Sequence, residues 1–306
     1  MRTTGDEPMN GFPKNGPVPQ WDGAGSLAQL YQFGRKVLSR RDTGDSSMEA
    51  AYLFQKVFGL DRSALAVHGE EIVPLIKAEE FLSLINRRKE GEPLQFLVGE
   101  WEFLVLPFFV GPGVLIPRPE TELLAETALS IAEGLPSPAL LDLCSGSGCL
   151  PIALGHFRPD AQVWGVELSS DAMGYFRRNL ERGGVGNVTA VLGDVFSLPV
   201  EITGRRYQVI TANPPYVRRG ALPGLQKEVR HEPVMALDGG EDGLEFYRRL
   251  PGICRELLAP GGVLLLEIGE EQGEVVCGLM REAGYRDVTV KKDLSGLDRV
   301  VMGWER

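Results

Sequence analysis

The chain is poor in the residues that build metal or thiol sites. Its four cysteines (Cys144, Cys149, Cys254 and Cys277) form no Cys-x-x-Cys pair, and its three histidines (His68, His156 and His231) lie far apart. No metal site is expected from such spacing, and reduced thiols in a cytoplasmic protein are the default. No apolar run approaches the roughly 18 residues of a membrane span, so no membrane partner is expected. Residues 1–25 lack the apolar core of a secretory signal and read, from their Gly, Pro and Asn, as a flexible extension. Positive charge is also short. With 32 Lys and Arg against 42 Asp and Glu, the formal net charge is −10. A protein that grips phosphates usually carries a basic surface, so duplex nucleic acid is not an expected partner. Finally, the third glycine of G-x-G-x-x-G is missing: the residue three after Gly148 is Pro151. That glycine packs the first helix of a dinucleotide fold, so its absence argues against a nicotinamide or flavin dinucleotide.

What remains is ordinary globular composition over 306 residues, enough for one large domain and a small one. Residues 26–93 predict a small helical bundle that either docks a partner or only packs. Leu27, Leu30, Tyr31, Phe33, Val37 and Leu38 recur near a 3.6-residue spacing. Ser46-Ser47 offer a cap for a second helix carrying Ala50, Ala51, Leu53, Phe54 and Val57, and 64–67 and 76–85 suggest two more. Over 94–116 the period changes. Phe96, Val98, Trp101, Phe103, Val105, Phe108 and Val110 favour β structure, with Gly99-Glu100 and Pro107 as breaks, and predict a hairpin linker.

Residues 117–306 form the larger domain. Pro117 and Pro119 set the start of a helix running to about residue 132, where Arg118, Glu120 and Glu122 read as capping and surface charges. Strand candidates follow at 139–143, 162–167, 188–192, 207–212, 262–268, 286–292 and 299–304, with helices at about 147–157, 171–182, 243–258 and 271–283. This alternation predicts an α/β fold with a largely parallel sheet. The short link Asp293 to Asp298 predicts an antiparallel hairpin at its edge.

Chemistry-bearing residues fall at strand ends, where ligands bind in open α/β sheets. Asn213-Pro214-Pro215-Tyr216 ends the 207–212 strand in a stiff turn, because each proline fixes φ and removes a backbone donor. Such a turn offers an Asn oxygen and a fixed carbonyl to the two hydrogens of one planar NH2 group. Methyl transfer to an amide or exocyclic amine needs that geometry. Tyr216 either walls the amide plane or simply packs. Asp142-Leu-Cys-Ser-Gly-Ser-Gly148 ends the first strand of the sheet and opens a helix. Gly146 and Gly148 would let a ligand approach the backbone, and the helix N-terminus would receive a carboxylate. Glu167, 19 residues past Gly148, can accept from both hydroxyls of a ribose, and Asp194 from an adenine amino group. Three carboxylates and a glycine loop at successive strand ends describe an adenosine-bearing cofactor without a pyrophosphate. S-adenosylmethionine fits, its amino-acid end meeting Asp142 and the loop.

From about Gly91 onward the chain resembles the peptide-chain release factor glutamine methyltransferases, the HemK-like family. The matching text includes GEPLQFLVGEWEF, VLIPRPETE, DLCSGSG, NPPYV, EPVMALDGGEDGLEFYR, LLLEIGEEQG and DLSGLDRVVMG. The ordered combination of PRPETE, NPPY and EPVMALDGGEDGL is highly specific. The resemblance implies a Rossmann-like methyltransferase domain behind a helical substrate-docking domain and a hairpin. It implies transfer to the glutamine of the Gly-Gly-Gln tip of release factors. It also implies a cofactor loop of Cys144, Ser145, Gly146, Ser147 and Gly148, a ribose ligand Glu167, adenine neighbours Asp194 and Val195, and a glutamine site at Asn213, Pro214, Pro215 and Tyr216. The family more often has Gly-Thr where Cys144-Ser145 stand, and Asp in place of Glu167. A monomer is expected. Three alternatives stay open: a glutamine methyltransferase for another translation protein, an adenine-N6 DNA methyltransferase, and a cofactor-binding module without catalysis.

Overall fold

The computed structural model describes residues 21, 23, 25–40 and 44–305. The expectation for residues 1–25 therefore lies, apart from residues 21, 23 and 25, outside the described residues. The chain divides into two units, Met1–Val98 and Gly99–Arg306.

The first unit is helical: α1 (Leu27–Leu38), α2 (Ser46–Phe58), α3 (Arg62–His68), α4 (Leu75–Lys89) and α5 (Leu94–Val98). Ser26 and Gln29 form a reciprocal capping box on α1. The cap of α2 is Asp45, whose carboxylate accepts from the backbone N–H groups of Ser47 and Met48. Ser46, expected as a cap, is instead the first helical residue. The Asp45 Oδ1 one position earlier accepts from both of these orphan donors, and its charge also suits the positive end of the helix. Leu30, Leu53, Phe54, Phe81 and Ile85 are buried, with Phe81 set edge-on to Phe54. The β period expected from residue 94 begins as a helix instead: Phe96 is buried on α5 and belongs to this unit.

The second unit opens with the hairpin of β1 (Glu100–Phe103) and β2 (Leu106–Phe109). Pro107, expected as a break, lies inside β2 opposite Glu102. A two-stranded ribbon leaves outer positions where a missing N–H costs nothing. Then follow α6 (Pro119–Ala132), β3 (Ala139–Leu143), α7 (Cys149–Phe157), β4 (Gln162–Glu167), α8 (Ser170–Gly183), β5 (Val188–Leu192), α9 (Val200–Thr203) and β6 (Tyr207–Ala212). The chain closes with α10 (Glu245–Leu257), β7 (Leu258–Glu267), α11 (Gly273–Glu282), β8 (Arg286–Lys292) and β9 (Asp298–Trp304). The seven strands run in the order β5-β4-β3-β6-β7-β9-β8, with β8 and β9 an antiparallel hairpin at one edge. The other neighbours are parallel, except that β9 is antiparallel to β7.

Successive residues along the central strands feed two cores. Leu140, Val163, Val209 and Val263 pack with α6, α7 and α8, whereas Leu141, Trp164, Ile210 and Leu264 pack with α9, α10 and α11. A sheet buried on both faces needs apolar residues at both parities, which the near-continuous runs ALLDL, YQVITA and GVLLLE supply. The chain builds outward from β3 to β5, returns to β6 beside β3, and builds the other way. The carboxyl ends of β3 and β6 therefore flank the topological switch point, where a crevice opens.

Candidate active site

A cavity of about 210 Å³ fills that crevice. Asp142, Cys144, Ser145, Gly146, Ser147, Glu167, Asp194, Val195, Asn213 and Pro215 all line it. Three expected residues, Gly148, Pro214 and Tyr216, do not.

The loop after β3 is held by its own backbone. The N–H of Ser145 donates to the Val166 carbonyl (3.0 Å), that of Gly148 donates to the Ser145 carbonyl (2.8 Å), and Asn179 donates to the Ser147 carbonyl (2.9 Å). Gly146 has φ +55°, and a Cβ there would meet no atom within 4 Å, so its open side is left for a ligand. Gly148 has a different reason to be glycine. A Cβ there would lie 2.1 Å from Cδ2 of the fully buried Phe176, so this glycine lets α8 close on α7 rather than admitting a ligand. Cys144 has φ +62° although it bears a side chain. The N-terminus of α7 has no side-chain cap, which leaves its backbone donors for an anionic group.

The carboxylates are braced from behind. Oε2 of Glu167 accepts from the Gly146 N–H (2.8 Å) and Oε1 from the Ser169 N–H (2.7 Å). The methylene that distinguishes it from Asp lets it bend back over the glycine loop, and each oxygen keeps a lone pair for a ribose hydroxyl. Oδ1 of Asp194 accepts from the Phe196 N–H (2.8 Å). Asp142 is buried, and Oδ1 accepts from the Thr211 hydroxyl of β6 (2.7 Å). Burial pushes its pKa up to about 7 against the lowering effect of hydrogen bonds from Ser145 and Thr211, and the nearby Glu167 adds to the rise. A cationic ligand group would relieve that penalty. A buried carboxylate, an open glycine, free helix donors and a ribose-reaching Glu167 together fit the amino-acid and ribose parts of S-adenosylmethionine.

At the end of β6 the amide of Asn213 donates from Nδ2 to Oγ1 of Thr121 on α6 (3.1 Å). Asn213 Oδ1 is thus the amide's remaining polar atom at the cavity. The turn behind it is tightly backed. A Cβ on Gly243 would lie 2.4 Å from the Tyr216 carbonyl, and Gln272 donates both to that carbonyl (3.3 Å) and to that of Gly243 (3.0 Å). Tyr216 packs against the core on the α10 side, and burial raises its pKa to about 12. Of the two roles left open for it, packing is the one its surroundings support.

Residues the sequence reading had left without a role complete the wall. Arg118, read as a surface charge, pairs with the buried Glu232, which also accepts from the Ile116 N–H (3.0 Å). That pair docks the segment carrying Pro233, Met235 and Ala236 onto the cavity. Glu122 accepts from the Leu104 N–H (2.9 Å) in the hairpin turn. Thr121, which lines the cavity and accepts from Asn213, was also missed. Glu267, buried behind the site rather than lining it, had a visible signal as the one acidic residue in the otherwise apolar GVLLLEI run. Among the described residues, no group of three or more His, Cys, Asp or Glu is placed to hold a metal ion. No helix among them is long and apolar enough to cross a membrane.

Comparison with known proteins fits this geometry. The PrmC N-terminal domain family matches residues 29–99, and the methyltransferase small domain family matches residues 120–234. The chain is 39% identical to a release factor glutamine methyltransferase of Geobacter sulfurreducens, covering 91% of this chain and 96% of that protein. It is 40% identical to one of Moorella thermoacetica, covering 85% and 91%. Among solved structures, a release factor-specific protein-(glutamine-N5) methyltransferase of Alicyclobacillus acidocaldarius is 31% identical, with 65% of this chain and 99% of that chain covered and a TM-score of 0.40. A 16S rRNA methyltransferase of T. thermophilus shares the fold at 22% identity and TM-score 0.50, covering 68% of this chain and 50% of that one. By identity over nearly its whole length, the chain belongs to the release factor glutamine methyltransferase family.

Proposed function

We propose that this protein transfers a methyl group from S-adenosylmethionine to the side-chain amide nitrogen of the glutamine in the Gly-Gly-Gln motif of peptide chain release factors. The observation that carries the reading is Asn213. Its Nδ2 is committed to Thr121, and it lines the same cavity as the glycine loop and Glu167.

The cofactor supplies a methyl group made electrophilic by its sulfonium. Asp142, Gly146 and the N-terminus of α7 would hold its amino-acid end, Glu167 its ribose and Asp194 its adenine. Asn213 Oδ1 accepts one hydrogen of the glutamine NH2, and a backbone carbonyl of the Asn213–Tyr216 turn accepts the other. An amide nitrogen is a poor nucleophile because its lone pair is delocalised. Two fixed acceptors hold the group so that the lone pair faces the methyl as it leaves the amide plane. Both contacts strengthen as positive charge builds on nitrogen. The N–C bond forms as the S–C bond breaks, giving N5-methylglutamine and S-adenosylhomocysteine, and the extra proton leaves to solvent.

The helical unit serves, in this reading, to hold the release factor away from its glutamine. In support, Val67, Ile72, Leu75 and Ile76 around the α3–α4 connection are exposed apolar side chains. Ile72→Ser with Ile76→Ser should raise KM for whole release factor about tenfold, the value of about one buried aliphatic side chain, and leave turnover of a short Gly-Gly-Gln peptide unchanged.

The reading is tested by incubating the protein with labelled S-adenosylmethionine and, separately, release factor, ribosomal protein and duplex DNA. Label should reach release factor alone, and mass spectrometry should place it on the Gly-Gly-Gln glutamine. Label on another protein or on adenine would overturn it.

A further inference from the structure

The Asn213–Tyr216 turn opens into a loop that leaves the sheet and comes back to the same cavity. The N–H of Val217 donates to the Leu237 carbonyl (2.9 Å) and that of Gly239 donates to the Val217 carbonyl (2.8 Å), so the loop closes directly behind Tyr216. Residues 218–237 run through three 3-10 turns, and their side chains are exposed or half-buried. Glu232 is the exception, at 4% exposure. A loop is ordinarily pinned to a domain by an apolar side chain, and a carboxylate in that place is costly unless it is paired. Here one carboxylate oxygen accepts from the Arg118 guanidinium and the other from the Ile116 N–H (3.0 Å). Ile116 and Arg118 line the cavity, whereas Glu232 lies behind it. Arg118 caps the start of α6, three residues before the Thr121 that accepts from Asn213. The pinned part of the loop therefore stands on the Asn213 side of the cavity. Directly after Glu232, Pro233, Met235 and Ala236 line the cavity. Met235 is half exposed as well, so it sits at the rim.

We infer that the Arg118–Glu232 pair is a clasp that seats Pro233, Met235 and Ala236 as the wall along which the substrate glutamine enters. The inference rests on Asn213 being the amide acceptor proposed above. A glutamine side chain is two methylenes ending in an amide. The turn at Asn213 answers the amide, but the methylenes need an apolar surface, and the rim at Met235 supplies one. An apolar anchor would leave the loop free to slide, because hydrophobic contact has no direction. Two carboxylate oxygens on two donors, from residues two apart in the chain, fix the loop in register as well as in depth. Glu232 touches neither substrate nor cofactor in this account. It is a positioning residue, and Met235 is the contact it places.

The test is kcat/KM for whole release factor at saturating cofactor, with the cofactor Kd measured by calorimetry in parallel. Glu232→Gln keeps the shape, but its amide oxygen serves only one side of the clasp and its NH2 meets a donor on the other. It should lower kcat/KM about 10-fold, the value of leaving two methylenes unshielded, and leave the cofactor Kd unchanged. Met235→Ser removes the wall, keeps the clasp and should lose about as much. Because both changes act through one wall, the double variant should be no slower than the slower single variant. Arg118→Met strands the Glu232 charge and should be slower than Glu232→Gln, and adding Glu232→Gln to it should recover part of the loss. Melting midpoints report that each variant is folded. The clasp is overturned if folded Glu232→Gln keeps the wild-type kcat/KM, if its loss appears equally in the cofactor Kd, or if the Glu232→Gln and Met235→Ser losses multiply. A wild-type kcat/KM for Met235→Ser overturns the wall whether or not Glu232→Gln folds. Asn213→Ala in the same assay separates the failures. A wild-type value there would sink the reading of Asn213, whereas a slow Asn213→Ala beside wild-type Glu232→Gln and Met235→Ser would sink only the clasp.

Discussion

Two neighbouring strands end in opposite ways. Leu143 of β3 and Ala212 of β6 are register partners, yet the chain beyond β3 turns through Cys144, Gly146 and Gly148 at positive φ, whereas the chain beyond β6 meets two prolines. The β3 exit exposes backbone donors and draws its carboxylates in with backbone N–H groups. The β6 exit has few donors to offer and is steadied by side chains from other elements, namely Thr121 and Gln272. The difference follows the two tasks. Binding a zwitterion needs a shell of backbone donors. Transfer to a weak nucleophile needs one acceptor that does not move.

That contrast can be broken at several points. The largest effect is expected at Asn213. Asn213→Ala should cost about 100- to 1000-fold in transfer, the usual loss when an oriented polar contact to the transition state is removed. Asn213→Asp keeps the size and an acceptor but forfeits the donor to Thr121, so a loss of similar size would show that shape is not what matters. Within the β3 loop, Gly148→Ala should destabilise the fold by about 2–3 kcal/mol through the clash with Phe176, seen as a lowered melting midpoint. Gly146→Ala, whose methyl would meet open space, should spare the fold more and weaken cofactor binding.

A smaller effect concerns pH. The Asp142 and Glu267 carboxyls titrate near 7 in the fold and near 4 in the unfolded chain. Between about pH 4 and 7 the folded protein holds more protons, so the stability they contribute is present at low pH and lost as pH rises through about 7. Glu267→Gln should make that decline shallower in denaturant titrations. Smallest is Cys144→Gly. It releases about 1–2 kcal/mol of backbone strain against roughly 0.5–1 kcal/mol of added unfolded-chain entropy. A net gain of a few tenths of a kcal/mol to about 1 is expected, read as a slightly higher melting midpoint. A loss would mean that the Cys144 thiol packs better than its backbone suggests.

Strand positions were legible because sheet strands buried on both faces read as apolar runs: 139–143, 162–167, 188–192 and 207–212 coincide with β3 to β6. The residues lining the cofactor end were legible because strand-end carboxylates and glycines are local in sequence. The hairpin turn was not. Leu104 and Val105 both have positive φ, where a sequence signal would require Gly or Asn. That strain is carried by contacts from elsewhere, including the bond from Leu104 N–H to Glu122. Phe96 and Val98 misled because apolar residues at alternate positions suit a short buried helix equally well. The bracing of Asn213 was invisible for a different reason. Thr121 precedes it by 92 residues, and only the fold brings β6 and α6 together.

The central claim is that the β3 exit binds and the β6 exit transfers. The direct measurement takes Glu167→Ala and Asn213→Ala and determines, for each, the cofactor Kd by calorimetry and the single-turnover rate at saturating cofactor and release factor. Glu167→Ala should weaken binding by about 1–3 kcal/mol, the loss of hydrogen bonds to a charged acceptor, and keep most of its saturated rate. Asn213→Ala should bind cofactor as the wild type does and transfer about 100- to 1000-fold more slowly. If folded Asn213→Ala transfers at the wild-type rate, or loses cofactor as Glu167→Ala does, the division of labour between the two strand exits is wrong.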